Sequence, residues 1–223
     1  MFINTMDKFG DEATMDMIIE RTITEYCDNS AEKIGEYAFY GCTALGKVDV
    51  PNAEYLANFS FYGCTALKTV NIQNAVTIGD SVFAECETLE SVTAPSLVTI
   101  NSSDFKGCKS LKIIILPSLE SMTSSSFSGC TSLEKADFAK LKSIGGTTFH
   151  NCPAFTALVL RNTEAVVKLS NVNALSGTNY IYVPKTMADG SDGVSAYKAS
   201  TNWSSIDAER FRAIEDYPEI CGG

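Results

Sequence analysis

The sequence predicts a repeat solenoid of the α/β type, and three observations carry that prediction. Phe recurs at Phe39, Phe61, Phe83, Phe105, Phe127 and Phe149, always at the same interval. A cysteine follows three residues after each, at Cys42, Cys64, Cys86, Cys108, Cys130 and Cys152. A short alternating apolar pair then recurs at a constant offset. A fixed period of this length marks a coil in which each turn buries its apolar face only against its neighbours. About six 22-residue repeats with a cap at each end account for the chain of 223 residues. The organisation reads as a leader and capping repeat over 1–33, a solenoid over 34–184 and a C-terminal cap over 185–223.

Residues 1–17 carry Asp7, Asp11, Glu12 and Asp16 among scattered apolar groups, the pattern of a frayed or helical leader. From Ile18 to Tyr26 the chain turns β-branched, which predicts a strand. Ile23 and Tyr26 lie one full period before Leu45 and Val48 and make an imperfect first repeat. The acids around it, Glu20, Glu25, Asp28, Glu32 and Glu36, suit a cap that faces water.

Within each full repeat an apolar residue follows Phe-x-x-Cys at Leu45, Leu67, Leu89, Leu111, Leu133 and Phe155. The alternating pairs come next: Val48 with Val50, Val70 with Ile72, Val92 with Ala94, Ile114 with Leu116, Ala136 with Phe138, Leu158 with Leu160. A period of two is that of a half-buried strand. Pro51, Pro95 and Pro117 end it where a lost amide donor is tolerable. A further apolar site closes the turn at Leu56, Ile78, Ile100, Met122, Ile144 and Val166. Gly41, Gly63, Gly107 and Gly129, with Asn151, occupy one phase between Phe and Cys, as a turn with positive φ would select. Glu85 interrupts that column, which predicts a different turn there.

After Val166 the repeat decays, with Asn171 where a Phe is due and Ala174 where a Cys is due. Ile181, Val183 and Pro184 restore the strand with a one-residue slip, so the last repeat is one residue longer than the others. Met187 to Gly193 is a loop by composition. Val194–Ser200 and Ser204–Ala213 are each expected to form a short helix, the second capped by Ser204 or Ser205. Tyr197, Trp203 and Phe211 offer large apolar area to close the open end of the core.

Composition narrows the function classes. The chain is 45% apolar with a formal charge of −10, which repels nucleic acid and anionic membrane surfaces. No window is long and apolar enough to insert in a membrane, and the first residues lack a cationic start followed by an apolar run. The six in-phase cysteines form a ladder of parallel side chains, a poor fit to disulfide geometry, and read as buried thiols packed as small hydrophobes. No Cys-x2-Cys cluster suggests zinc, and no cofactor is expected. Cys27 and Cys221 fall outside the ladder. His150 is the single histidine, in a column that otherwise holds Tyr40, Tyr62, Ala84, Lys106 and Ser128, so it is expected to face solvent. No phosphate-cradling loop or nucleophile elbow is present, and the chain is not expected to be an enzyme. Asn202-Trp203-Ser204 formally fits a glycosylation acceptor, but Trp203 serves better in the cap.

The motif Leu-x-x-Val-x-Val-Pro, followed by an apolar residue and Ala-Phe-x-x-Cys-x-x-Leu, resembles the BspA-like leucine-rich repeats. The stretch Ile34-Gly35-Glu36-Tyr37-Ala38-Phe39-Tyr40-Gly41-Cys42 is especially similar, and the resemblance runs from Ile18 to Pro184. Tyr182-Val183-Pro184, Tyr197-Lys198 and Asn202-Trp203-Ser204 also look like the tail that follows such repeats in proteins of gut bacteria and their phages. The resemblance implies a curved, right-handed coil whose strands line one concave parallel sheet, at the cell surface or secreted. It implies binding of other proteins or matrix in bacterial adhesion, with no catalytic residues to carry over.

On the strand alternation, the residues between the buried ones face that concave surface. One column is Lys47, Thr69, Ser91, Ile113, Lys135 and Ala157; its neighbour is Asp49, Asn71, Thr93, Ile115, Asp137 and Val159. These twelve are the candidate partner-binding residues. Ile113 and Ile115 put an apolar patch at the middle, a common mark of contacts, although isoleucine also simply suits a strand. Lys47 with Asp49 and Lys135 with Asp137 read as weak surface ion pairs. The expected function is a non-enzymatic module that binds a protein or glycan partner. The alternative is a structural spacer or phage-particle component that works through its ends.

Overall fold

A computed structural model describes residues 21–175 and 180–222. The leader, Ile18 and Ile19 lie outside the described residues. The first coils hold Glu25–Cys27 (β1) and Lys33–Ile34 (β2), Lys47–Asp49 (β3) and Tyr55–Leu56 (β4), Thr69–Asn71 (β5) and Thr77–Ile78 (β6). Ser91–Thr93 (β7) and Thr99–Ile100 (β8), Ile113–Ile115 (β9) and Ser121–Met122 (β10), Lys135–Phe138 (β11) and Ser143–Ile144 (β12) follow. The seventh coil has Ala157–Leu160 (β13) and Lys168–Leu169 (β14), and Tyr180–Val183 (β15) and Phe211–Ala213 (β16) end the array. Among the described residues, helices are confined to the C-terminal cap, at Gly193–Ala199 (α1) and Pro218–Cys221 (α2), apart from short 3-10 turns.

Each of these seven coils therefore has two strands, and each strand joins its own parallel ladder. The three- and four-residue strands pair one period apart, Lys47 with Thr69 and Asn71 with Thr93. Their middle residues Val48, Val70, Ile114, Ala136 and Leu158 are buried. The column Leu56, Ile78, Ile100, Met122 and Ile144, expected only to close the turn, lies in a second ladder that runs without interruption from β2 to β14. Two-residue strands are too short to show a period of two, which is why sequence alternation cannot reveal them.

The third side of each coil is the Phe-x-x-Cys turn. Phe39 and Gly41 donate N–H bonds to the carbonyls of Ser60 (2.7 Å) and Tyr62 (2.8 Å) in the next coil, and Phe61 and Gly63 repeat the pattern to Val82 and Ala84. Except between β7 and β9, backbone groups on all three sides thus find partners in the neighbouring coil, as buried amides require. Inside, the six Phe rings stack with centroids 4.9 to 5.6 Å apart and no solvent exposure. Burying each such ring contributes about 1.5 to 3 kcal/mol, so apolar stacking dominates the cohesion of the coils.

The positive-φ turn is where the glycines predict it, at Gly41, Gly63, Gly107, Gly129 and Asn151. Glu85 adopts it too, with φ of 60°. The expectation of a different turn at Glu85 is therefore corrected. Its N–H donates to the Lys106 carbonyl at 2.7 Å, and that bond offsets the cost of the conformation. The Glu85 carboxylate stands 2.7 Å from where a Cβ on Gly107 would lie, so any side chain at Gly107 would have to push it aside. A second positive-φ column at Tyr37, Phe59, Ser81, Ser103, Ser125 and Thr147 has no glycine to announce it.

Near the end, two further expectations change. The one-residue slip is present, with Leu158 opposite Ile181, but the closing residue opposite Ile144 is Leu169 rather than Val166. A three-residue longer excursion carries the chain there. Gly193–Ala199 is the expected helix, begun by the Asp192 carboxylate accepting from Ser195 N–H at 2.7 Å. Ser204–Ala213 is not a helix: Trp203–Ser205 and Ala208–Arg210 are 3-10 turns, and Phe211–Ala213 pairs in parallel with Ile181–Val183. Phe211 and Ala213 alternate with Arg212 between core and outside, and pairing with β15 satisfies a sheet edge that a helix would leave open. Trp203, Tyr197 and Phe211 close the core as expected, with Trp203 Nε1 donating to the Val167 carbonyl at 2.6 Å.

The strand face as candidate functional site

The outward residues of the three-residue strands form one surface, and its two halves differ. Thr69, Ser91 and Thr93 are exposed, while Lys47, Asp49 and Asn71 are half-buried and polar. Lys47 Nζ faces Asp49 at 3.8 Å, and Asn71 Nδ2 donates to Asp49 Oδ1 at 2.9 Å. Ile113 and Ile115 are 51% and 54% exposed, which is unusual for isoleucine on so regular a frame.

Beside them the ladder breaks. The strand surface consists of a four-stranded sheet ending at β7 and a five-stranded sheet beginning at β9, with no pairing between those two strands. A cleft of about 340 Å³ lies at the break, lined by Glu90, Ser91, Val92, Lys112, Ile113 and Ile115. Val92, whose equivalents elsewhere are buried, is only partly covered there.

Beyond Ile115 most of the surface is covered, although Tyr180 stays exposed. After β16 the chain turns at Ile214–Asp216 and runs through α2 across β11, β13 and β15, and we term residues 214–222 the strap. Ala157, Val159, Tyr182 and Cys221 form a second apolar cluster, separate from the main core, with Ile214, Tyr217 and Ile220 packed on it. Lys135 Nζ donates to the Ile220 carbonyl at 2.6 Å, and the Arg161 guanidinium donates to the Cys221 carbonyl. Arg161 also holds Asp137 through two bonds of 2.7 Å, which raises the guanidinium pKa above its ordinary value. Of the twelve residues expected on an open surface, Asp137, Ala157 and Val159 are thus buried. Lys135 and Asp137 are not a surface ion pair, since the strap shields them both. Arg161 escaped sequence reading although it stands where earlier repeats carry Pro51, Pro95 and Pro117.

None of the ladder cysteines is in a disulfide, and Cys64 Sγ donates to the Phe39 carbonyl of the preceding coil, Cys86 to Phe61, Cys108 to Phe83, Cys130 to Phe105 and Cys152 to Phe127, at 3.0 to 3.3 Å. Burial pushes Cys42 up to about 12 and Cys152 up to about 11, and raises Cys86, Cys108 and Cys130 as well. Thiols so held are poor nucleophiles at neutral pH. His150 is exposed, and Asn202 Nδ2 donates to the Leu169 and Ser170 carbonyls, tying that side chain into the cap. The described residues hold no group of three or more His, Cys, Asp or Glu arranged for a metal ion. One buried acid stands out: Asp104 accepts N–H bonds from Val82 (3.1 Å) and Asn101 (2.7 Å), yet burial pushes its pKa up to about 8.

Comparison with known proteins agrees with this geometry. A family model described as the BspA type leucine rich repeat region matches residues 20–99 and 76–202 in six copies. A crystal structure of the T. pallidum leucine rich repeat protein TpLRR aligns with a TM-score of 0.54 at 27% identity, covering 56% of this chain and 61% of that one. A leucine-rich repeat protein from Eubacterium ventriosum gives 0.56 at 24% identity, over 60% and 38% of the two chains. The pneumococcal vaccine antigen PcpA gives 0.53 at 16% identity, over 85% and 42%. The alignments span less than two thirds of each of these proteins. No curated protein sequence matches this chain.

Proposed function

The chain belongs to the BspA-type leucine-rich repeat family, and on that premise we propose that it is a non-enzymatic binding module, at a bacterial surface or secreted, whose strand face takes a protein partner. The observation that carries this reading is the pair Ile113 and Ile115, more than half exposed beside a cleft and next to the polar outer residues of β5 and β7. Buried apolar anchors of this kind dominate protein interfaces, while small polar surroundings add complementarity. The T. pallidum, E. ventriosum and pneumococcal relatives agree with a bacterial setting.

The test is quantitative binding of candidate bacterial and host surface proteins to the native chain and to the Ile113→Asp, Ile115→Asp double variant. The variant is expected to bind at least about tenfold more weakly, the scale of one central anchor. Equal binding by both proteins moves the partner off this face.

A further inference from the structure

The strap is attached unlike the coils it covers. Its apolar side chains sit on a cluster of their own, outside the continuous core. Its carbonyls are caught by two side chains, Lys135 and Arg161, where the coils are held by backbone ladders. Its acids reach surface partners: Glu215 accepts from Lys185 N–H at 2.9 Å, and Asp216 pairs with Lys185 Nζ at 3.0 Å, the ion-paired groups both being more than half exposed. It lies on the same face as the open patch, directly beside it, because Lys135 and Asp137 are the register partners of Ile113 and Ile115.

We propose that residues 214–222 are a built-in ligand of the strand face, and that a partner polypeptide segment of the same chemistry displaces them. That segment carries aliphatic and aromatic side chains between carboxylates. Its apolar groups take the places of Ile214, Tyr217 and Ile220 over Ala157, Val159 and Tyr182, and its backbone carbonyls accept from Lys135 and Arg161. With the strap removed, Ala157, Val159 and Tyr182 are bared on one side of Lys135 and Asp137, while Ile113 and Ile115 stand on the other. The inference rests on the strand-face reading above and names the kind of partner that this face admits.

Cys221 reports the strap directly, since it is part of it, is buried against the face and does not belong to the ladder. In the native full chain, alkylation followed residue by residue is expected to label exposed Cys27 at once, then Cys221, with Cys221 faster than Cys108 by on the order of 100-fold. A synthetic peptide of residues 213–220, which contains no cysteine, is expected to speed Cys221 labelling at least about fivefold in a saturable way, as binding to the opened state requires. A scrambled peptide is expected to leave the rate unchanged. Ile214→Ser with Ile220→Ser is expected to speed labelling without peptide while the thermal midpoint moves by no more than about 2 °C.

Labelling of Cys221 no faster than Cys108, or no response to the matched peptide, overturns the proposal. A midpoint that falls in the double variant as far as in a Phe-column variant also overturns it, by making the strap part of the core. Thiol labelling is independent of partner capture by the Ile113 and Ile115 variant, so the two readings fail separately.

Discussion

At the boundary between the fourth and fifth coils, two sides of one molecule behave differently. On the strand side β7 and β9 do not pair and Val92 is partly bare. On the Phe-Cys side the same boundary is fully connected. Phe83 and Phe105 stack at 5.5 Å, Phe83 N–H donates to the Asp104 carbonyl at 2.9 Å, and Cys108 Sγ donates to the Phe83 carbonyl at 3.3 Å. The second ladder also continues, with Thr99 opposite Ser121. Coil spacing is thus maintained where the strand ladder is absent, so the Phe-Cys side and the second ladder set it. The strand face is released from that task, and its composition can serve binding.

The sharpest way to break this comparison is on the connected side. Phe105→Ala is expected to cost about 3 to 5 kcal/mol in denaturant unfolding, the range for buried aromatics. A loss below about 1 kcal/mol would place the ring stack outside the structural core.

Asp104 gives the next effect, because it links the same two coils through Val82. Its folded pKa is raised, so the folded state keeps a proton that the unfolded chain releases. Stability from this group is full below the ordinary carboxylate range and is lost as pH rises toward about 8. The thermal midpoint between pH 5 and pH 8.5 is expected to fall by about 5 °C more in the native chain than in Asp104→Ser. Serine is what the equivalent positions Ser60 and Ser126 carry. Parallel profiles would mean that Asp104 stays ionised in the fold.

Cys108→Ala is expected to cost about 1 to 2 kcal/mol, through the lost thiol bond and a small cavity, by the same unfolding measurement. An unchanged unfolding midpoint would show that neither the thiol bond nor the packing of Cys108 adds stability. The smallest effect belongs to the released side: Ile113→Asp with Ile115→Asp is expected to change stability by less than about 0.5 kcal/mol. A larger loss would make those residues part of the frame.

The sequence was most informative where a property repeats. The Phe, Cys and Leu columns fix the period, and the period places the buried side chains. The second ladder stayed hidden because its strands have two residues each, and the Tyr37-to-Thr147 turn column because its positive φ is stabilised by bonds to the next coil rather than announced by glycine. Tyr37 N–H to the Asn58 carbonyl, at 3.2 Å, is one such bond. The strap was illegible for a related reason. Nothing in Ile214 to Cys221 repeats, and its docking depends on Arg161, a single departure from the Pro column. The same cause turned Phe211–Ala213 from an expected helix into an edge strand, since the partner that decides it, β15, lies far from it in sequence. Ala157, Val159 and Asp137 lie on the strand face by register, but what covers them is set by tertiary contacts alone.

The missing rung between β7 and β9 also bears on how the molecule carries load. Hydrogen bonds between coils run along the stacking axis, so a pull applied end to end acts on them directly. Every other boundary between the first and seventh coils shares that tension across its strand ladder as well, and this one does not. Under end-to-end tension the array is expected to part first at the cleft, between Thr93 and Ile113, where the strand ladder is absent.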